Sequence, residues 1–473
     1  MIIRRSTPVV HRHVVFALVA ITEFTFVMQF SMVGVSLQQL LDDLAAPLRW
    51  GGWVLTMFMI GRVVAMAVVG RLSERLGATV VYALGFAAFA ASSALCAAAP
   101  NIYVLIIGRA LQGLASGGLG AAGMTIVGDS YGTQRARAIG YLSSVLPFGA
   151  VLGPTVGGLI VDHFGWRWTF GFNVPVGFAA CVLSIALLPR GARRAGQAMD
   201  LPGIGLIALA VTALVYALTE LARKDGAADP TVVGGTIALA LVAGVLLVRQ
   251  ERRVRVPVLP LDLLRQPGLI AANAIAFFFG VCWQGVFSLL PYYVQSAYGL
   301  SASQAGGIMA PRALVMVLMS AAASFLLPRT GYRWPLLIGL VGQSLVLLAF
   351  SRGLHEPVIA GQLVHSVAWL TAVSLGAGLA FGAANPAMNN AAIDLAPDRI
   401  AAIAGMRGMF MTLGGTVGIA VVVLFGAQGA TIAGGIETAF LVFSAVMLLT
   451  TLLIPRVPEQ ARAHAPRPLA EPR

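Results

Sequence analysis

Long apolar blocks separated by short polar segments follow one another along almost the whole sequence. Each block runs for about 18 to 25 residues, and a helix rising 1.5 Å per residue then crosses a hydrocarbon core of about 30 Å. Lipid offers no hydrogen bonds to a peptide backbone, so each block is expected to be a helix. The blocks lack the alternation of apolar and polar positions that is typical of a membrane β-barrel. The pattern predicts an all-α polytopic membrane protein.

Turn residues and charges divide the apolar sequence into fourteen predicted spans. Their limits are 14–37, 51–70, 79–99, 102–127, 139–161, 169–189, 203–221, 231–248, 269–293, 304–327, 334–350, 367–390, 400–425 and 435–455. The segment 351–366 before the twelfth span is either a loop or partly inserted. Three arginines precede the first span as in a signal peptide, but a small-residue cleavage site is missing, so we interpret it as a retained helix.

Charge is scarce and unevenly placed. Only 10% of the residues are charged, against about 25% in soluble proteins. If the chain starts in the cytoplasm and alternates sides, most of the 31 Lys and Arg residues fall in cytoplasmic segments. The exceptions between spans are Arg49, Arg167, Arg223, Lys224 and Arg352. This asymmetry favours an even number of spans with both termini cytoplasmic. The membrane that we expect is a bacterial inner membrane.

Several classes of function are disfavoured by the same composition. The net charge of +13 does not indicate nucleic-acid binding, because the arginines lie in short loops rather than along one face. Cys96, Cys181 and Cys282 all lie inside apolar blocks, which argues against a disulfide framework. No metal-ligand spacing, nucleotide loop or nucleophile arrangement stands out, so we expect no enzyme activity, cofactor or metal.

A short internal repeat suggests two related halves. LGPTVGG at 152–158 recurs as LGGTVGI at 413–419, in the fifth span of each six-span group. A basic segment from Arg249 joins spans eight and nine. We predict an N-terminal six-helix bundle (1–195), a central two-helix insertion with a cytoplasmic loop (196–265), a C-terminal six-helix bundle (266–457) and a cytoplasmic tail (458–473). Two related halves with a site between them are common among alternating-access transporters.

Three motifs occur in order in the first half. The loop motif GRLSERLGA between spans two and three contains Gly70, Glu74, Arg75 and Gly77. Span four contains GRALQG, which places Arg109 and Gln112 within the membrane. Span five contains GAVLGPTVGG, and its glycines strip one helix face so that another helix can approach closely. These motif residues are Gly149, Gly153, Pro154, Gly157 and Gly158.

Together with the stretch GWRWTFGFNVPVG, these motifs resemble the major facilitator superfamily, specifically its fourteen-helix drug:proton antiporter branch of the EmrB/QacA type. The resemblance implies the major facilitator fold and a proton-coupled exporter of small amphiphilic molecules. A periplasmic adaptor and an outer-membrane channel, which some relatives use, are further partners that it leaves open. The loop motif departs from the family pattern at Glu74, where Asp is usual. Gln29 stands where the branch carries a helix-1 Asp.

Glu23 is the acidic residue predicted to lie near the middle of the first span. Arg62 lies at a similar depth in the second span, and charges at such depth cost about 2.5–3.5 kcal/mol on insertion scales. We expect Glu23 and Arg62 to couple protons to transport, with Glu23 replacing the missing Asp as the carrier. The family resemblance implies that Arg109 takes part in this coupling. The alternative is a permanent structural ion pair between Glu23 and Arg62.

Aromatic, amide and arginine side chains inside the spans are candidates for the substrate pocket. They are Gln29, Phe30, Trp53, Gln112, Trp283, Gln284, Arg312, Asn385 and Asn389. Arginines outnumber carboxylates deep in the spans, so we expect neutral or anionic amphiphiles rather than quaternary cations. An uptake symporter for organic acids or sugars on the same fold, or an integral membrane enzyme or signalling protein, are the alternatives.

Overall fold

The structure, a computed structural model, describes residues 12–189, 200–223, 228–254, 257, 261–355, 357–359, 362–395, 399–457 and 459. Arg4 and Arg5 before the first span, and nearly all of the predicted tail 458–473, lie outside the described residues.

The first part of the chain is helical wherever a span was predicted. The predicted fourth span is divided at Gly117 and Gly118, where a Cβ on either glycine would overlap the second helix. The sixth begins with a separate single turn. The helices are α1 (Arg12–Asp43), α2 (Leu48–Leu76), α3 (Ala78–Ala97), α4 (Ile102–Ser116), α5 (Leu119–Tyr131), α6 (Arg135–Phe164), α7 (Trp168–Gly171) and α8 (Asn173–Leu187).

A central pair and a second group of helices follow. The central helices are α9 (Leu201–Leu221) and α10 (Pro230–Glu251), each begun by an aspartate cap with proline in the first turn. The second group contains α11 (Pro267–Gly280), the π-helix Val281–Val286, α12 (Phe287–Tyr298), α13 (Ala302–Thr330), α14 (Arg333–Phe350), α15 (Ser366–Ile393), α16 (Ile400–Gln428) and α17 (Ile432–Thr450). The segment 351–366, interpreted above as either a loop or partly inserted, contains a short hairpin. Its two strands have two residues each, Val358–Ile359 paired with Gln362–Leu363.

Within the part of the chain that is described, eleven helices are long and apolar enough to cross a membrane. The chain is therefore a multi-pass α-helical membrane protein. Each of the fourteen predicted spans coincides with helix, but the count of fourteen crossings stays a prediction. The second, fourth and fifth predicted spans are not among the eleven.

Glycines set the packing inside each half. A Cβ on Gly153 would overlap Ser31 of α1, and one on Gly157 would lie 2.9 Å from Met32. The predicted close approach at the span-five glycines is therefore confirmed, with α1 as the partner. The repeat behaves alike in the second half, where Gly414 and Gly418 of α16 lie against the backbones of α11 and the π-helix.

The two halves meet at the end of the bundle that contains Asp43, Asp162 and Ser301, here called the distal end. A Cβ on Gly158 of α6 would overlap the backbone of Ala302, and one on Gly306 of α13 would overlap that of Pro154. Gln295 of α12 also donates a 3.0 Å hydrogen bond to the Val35 carbonyl of α1. Backbone therefore touches backbone across the interface between the halves.

The central pair lies beside both halves. Trp53 of α2 packs with Val215 of α9 and Ala420 of α16. Gln428, at the end of α16, donates a hydrogen bond of 2.9 Å to the Leu221 carbonyl at the end of α9. Helix α9 thus covers the seam between α2 and α16, and α10 packs on its outer side.

Candidate functional site

A cavity of about 170 Å³ lies between the two halves, next to the distal contact. Its described lining includes side chains from α1, α2, α4 and α6 on one side and from the π-helix, α12 and α13 on the other. The lining is mainly apolar, with Leu55, Met59, Met309 and Met316 among its residues. Flexible methionines adapt to differently shaped ligands. A site between two groups of helices is common among alternating-access transporters.

Arg109 borders this cavity but is bound by its own half. Its Nε donates to the Val54 carbonyl at 2.9 Å, and its Nη1 donates to Gln112 at 2.5 Å. Gln112 in turn donates to Ser93 at 2.8 Å. The guanidinium lies over the Phe58 ring, 4.2 Å from its centroid. Arg109 therefore ties α4 to α2 and α3, and both predicted residues of the GRALQG motif belong to one buried network.

Arg312 enters the cavity from the other side with a different environment. Its guanidinium carbon lies 4.3 Å from the Phe287 ring centroid and 4.8 Å from that of Trp283. Its Nε and Nη1 are buried and have no hydrogen-bond partner. The Trp283 ring is itself backed by Phe381 of α15, with centroids 4.0 Å apart. Arg312 thus rests on an aromatic shelf, formed by Trp283, Phe287 and Phe381, with unused donors.

The π-helix Val281–Val286 carries this shelf toward the cavity. Pro291, one turn into α12, lacks an N–H and its ring opposes the carbonyl of Phe287, which loosens the helix here. The wide π turn then reorients Trp283, Gln284 and Phe287, and such turns recur at functional sites. Gln284 lies against Gly415, and its Oε1 has no partner.

Glu23 is buried inside the first half, away from the described lining of the cavity. It is 2% exposed, and its Oε1 has no hydrogen-bond partner. Cβ atoms on Gly123 and Gly120 of α5 would lie 3.1 and 3.7 Å from its carboxylate oxygens. Tyr82, hydrogen-bonded to Thr22 at 2.6 Å, lies beside the carboxylate, and the charge of Arg62 acts on it. The predicted neighbourhood of Glu23 and Arg62 is confirmed.

The remaining pocket candidates divide by position. Trp283, Gln284 and Arg312 line the cavity, as does Pro154 of the antiporter motif. Trp53 does not, because its indole N–H donates to Thr219 of the central pair at 2.8 Å. Asn389 donates to Asn385 at 3.4 Å within α15, and neither is among the described lining residues. Gln29 is fully buried with an unpartnered amide. The side chains of Phe30 and Glu74 lie outside the described residues.

The other motif glycines have backbone roles. Gly77, in the loop motif, has φ of +93°. Gly331, which follows α13 in the second half, has φ of +68°. Residues with a Cβ rarely adopt these values. Equivalent loops in the two halves therefore need glycine at the same place, which agrees with a duplicated plan.

Asp162 closes the distal end across the two halves. Its carboxylate accepts hydrogen bonds from the backbone N–H groups of Ala302, at 3.2 Å, and Ser303, at 2.9 Å, at the start of α13. Partial burial acts against its charge, but hydrogen bonds from Ser303, Ser301 and Ala302 outweigh it and lower the pKa of Asp162. The ionised form therefore holds the contact, and Arg167 likewise lowers the pKa of nearby Asp43.

Sequence reasoning missed several residues of this region. Ser31, Gly34 and Ser288 line the cavity, and Tyr82 lies beside Glu23. Pro291 follows an aromatic stretch that contains glycine, and this combination in the sequence could have indicated the irregular π-helix. Small polar residues such as serine carried no comparable signal, because they are common throughout membrane helices.

Comparisons with known proteins agree with this geometry. Residues 19–419 and 274–472 match the family model described as Major Facilitator Superfamily. The multidrug transporter protein MdtP of Bacillus subtilis is 29% identical over 394 residues, which cover 82% of this chain and 70% of MdtP. The methylenomycin A resistance protein of Streptomyces coelicolor is 31% identical over 396 residues, which cover 82% of this chain and 80% of that protein.

A solved structure shares the fold. It is a bacterial homologue of the human lysosomal transporter Spinster in an inward-facing and occupied conformation. It matches with a TM-score of 0.68 at 14% sequence identity, over 95% of this chain and 97% of that chain.

Proposed function

This chain belongs to the major facilitator superfamily, and from that premise we propose that it is a proton-coupled antiporter. It exports small amphiphilic drugs or toxic metabolites across a bacterial inner membrane, with both termini in the cytoplasm. The observation that carries the proposal is the cavity lined by both halves beside a closed distal end. The relatives named for multidrug transport and methylenomycin A resistance support export.

Alternating access follows from the packing. The halves are rigid within themselves, because glycines bring α6 onto α1 and α16 onto α11. At the distal end the polar contacts between the halves include those of Asp162 and Gln295. The halves, divided at the predicted limits 1–195 and 266–457, then rock about the cavity. Since the cavity is smaller than the roughly 300–1,000 Å³ of typical ligand pockets, larger substrates require them to separate.

Glu23 carries the proton in this proposal. A buried carboxylate with an unpartnered oxygen, beside the charge of Arg62, is poised to gain and lose a proton as its surroundings change. Arg109 positions the helices around the cavity instead of exchanging protons, because its Nε and Nη1 donate to acceptors within the first half. Delivery to a periplasmic adaptor and an outer-membrane channel stays a prediction.

Everted membrane vesicles energised by respiration test the proposal. Addition of an exported compound is expected to discharge the pH gradient, and a panel of anionic, neutral and cationic dyes, ethidium included, identifies such compounds. Glu23→Gln removes the titratable group and is expected to abolish the discharge, whereas Glu23→Asp retains part of it.

Glu220→Gln is the matched control, because Glu220 is 8% exposed at the end of α9 and pairs with Arg223 at 2.8 Å, away from the cavity. Equal discharge by wild type and Glu23→Gln would make Glu23 a structural residue. Accumulation of substrate in the same direction as protons would instead indicate a symporter.

A further inference from the structure

Two arginines border the cavity, and they differ in what their N–H groups bind. Arg109 uses its Nε and Nη1 on protein acceptors, whereas the same two atoms of Arg312 are buried without a partner. A guanidinium has five N–H donors in a fixed fork, and buried donors without acceptors cost free energy. The unpartnered Nε and Nη1 of Arg312 therefore can bind an acceptor that a ligand supplies.

The location of Arg312 rules out the simpler role of an interfacial anchor. It is ten residues into α13, about 15 Å from the helix start at 1.5 Å per residue, so its side chain does not simply reach a headgroup. No carboxylate is found among the described residues that line the cavity, and two arginines are. The formal charge of the described lining residues is therefore positive.

The aromatic shelf beneath Arg312 selects the rest of the ligand. Trp283 and Phe287 support the flat face of the guanidinium at 4.8 and 4.3 Å, and this arrangement orients its edge. Ser288 and Gln284 add polar groups on the same side of the cavity, while Met309 and Met316 add apolar surface. A ligand that satisfies this surface has an aromatic or otherwise apolar body and a planar anionic group.

We propose that Arg312 binds the anionic group of the transported molecule, so that the substrates are aromatic amphiphiles bearing a carboxylate or a similar delocalised anion. This rests on the proposed function and names its substrate class. A carboxylate matches the guanidinium fork with two parallel hydrogen bonds. The aromatic body lies against Trp283 and the methionines.

Binding of two matched probes to the purified protein in detergent tests the assignment. The probes are 2-naphthoate, which is anionic at neutral pH, and 2-naphthamide, which has the same shape and no charge. Titration calorimetry on wild type is expected to show at least about tenfold tighter binding of naphthoate, the ratio that one charge-assisted hydrogen bond of roughly 1.5–3 kcal/mol gives. Arg312→Gln is expected to remove this preference, chiefly by weakening naphthoate binding.

Two further variants keep the test informative. Arg312→Lys retains the charge without the planar fork. The ratio of naphthoate to naphthamide affinity is expected to fall several-fold in this variant. Arg407→Gln is the matched control, because Arg407 of α16 also has a buried, unpartnered Nη1 but is not among the described lining residues. It is expected to bind both probes as wild type does.

A wild-type preference that disappears in Arg312→Gln and persists in Arg407→Gln supports the assignment. Equal or undetectable binding of the two probes by wild type, or a preference that survives Arg312→Gln, overturns it. The proposed function fails on a different result: no compound of the dye panel discharges the pH gradient in vesicles. Naphthoate binding at Arg312 does not depend on that result.

Discussion

The first and second halves of the chain share one packing device but bury different charges. In both, the helix that contains the repeated glycine sequence packs against the first helix of its half: α6 packs on α1, and α16 packs on α11. The first half buries Glu23 with Arg62 and Arg109. The second buries Arg312 and Arg407 without an acidic partner among the described ion pairs. Duplicated scaffolds therefore carry different chemistry.

The difference suggests a division of labour. The acid of the first half is buried beside α5, apart from the described lining of the cavity. The unsatisfied arginine of the second half lies within the cavity. Separate places for proton and substrate allow each to alter the stability of the same two conformations, which is what coupling requires. Variants made in pairs, one in each environment, sharpen this comparison.

The largest expected effect comes from replacing the two cavity arginines by methionine. Arg109→Met removes hydrogen bonds from a charged donor to Val54 and Gln112, each worth about 1.5–3 kcal/mol, so we expect a loss of about 3 kcal/mol in unfolding free energy. Arg312→Met leaves no protein acceptor of Nε or Nη1 unpaired and is expected to leave stability unchanged or raised. Equilibrium unfolding in mixed micelles measures both, and equal losses would contradict the distinction.

The next effect concerns the interface between halves. Gly306→Val places a side chain against the Pro154 backbone, whereas a Cβ on the adjacent Gly307 would meet nothing within 4 Å. We expect Gly306→Val to shift the protein toward a distal-open conformation and to reduce transport by at least about tenfold. Spin labels at Phe164 and Leu354, both exposed near the distal end, report the distance between halves. If Gly307→Val changes the label distance and transport to the same extent, then helix propensity, and not the interface, is responsible.

A smaller effect is expected at Asp162. Because its pKa is lowered from 3.8, the distal contact is fully present above that value and is lost only as pH falls through the lower pKa of the bound carboxyl. In Glu23→Gln, which lacks the proposed proton carrier, the label distance is therefore expected to stay constant between about pH 5 and 8. Asp162→Asn is expected to shift the conformational equilibrium by less than about fivefold, since the side chain is largely exposed. A transition near neutral pH that Asp162→Asn abolishes would make Asp162 a proton sensor.

The smallest effect is expected at the central pair. Trp53→Phe removes the hydrogen bond to Thr219 and should cost about 1 kcal/mol of stability. Transport should continue, because Trp53 contacts α9 and α16 outside the cavity. Transport assays in cells, scaled to the amount of protein in the membrane, measure this. A selective loss of transport at normal expression would return Trp53 to the substrate site.

Much of the fold could be predicted from apolar block length and glycine spacing. Block length and glycine spacing are local properties of the sequence. They were enough to predict helix at all fourteen spans and the close approach of another helix at Gly153. The position of Trp53 could not, because a partner 166 residues away decides it. Likewise, the sequence places Arg109 and Arg312 at similar depths. The carbonyl of Val54, brought close by helix packing, and the side chain of Gln112 distinguish the bound arginine from the unbound one.

The most direct test of the account is transport by purified protein in liposomes across an imposed pH gradient, with an internal pH dye and the best exported compound from the vesicle panel. The account predicts that substrate movement against its gradient requires the pH gradient and is accompanied by opposite proton flow. In Glu23→Gln, substrate should still exchange down its gradient without proton flow. Wild-type transport that is equally fast with and without the pH gradient would contradict proton coupling.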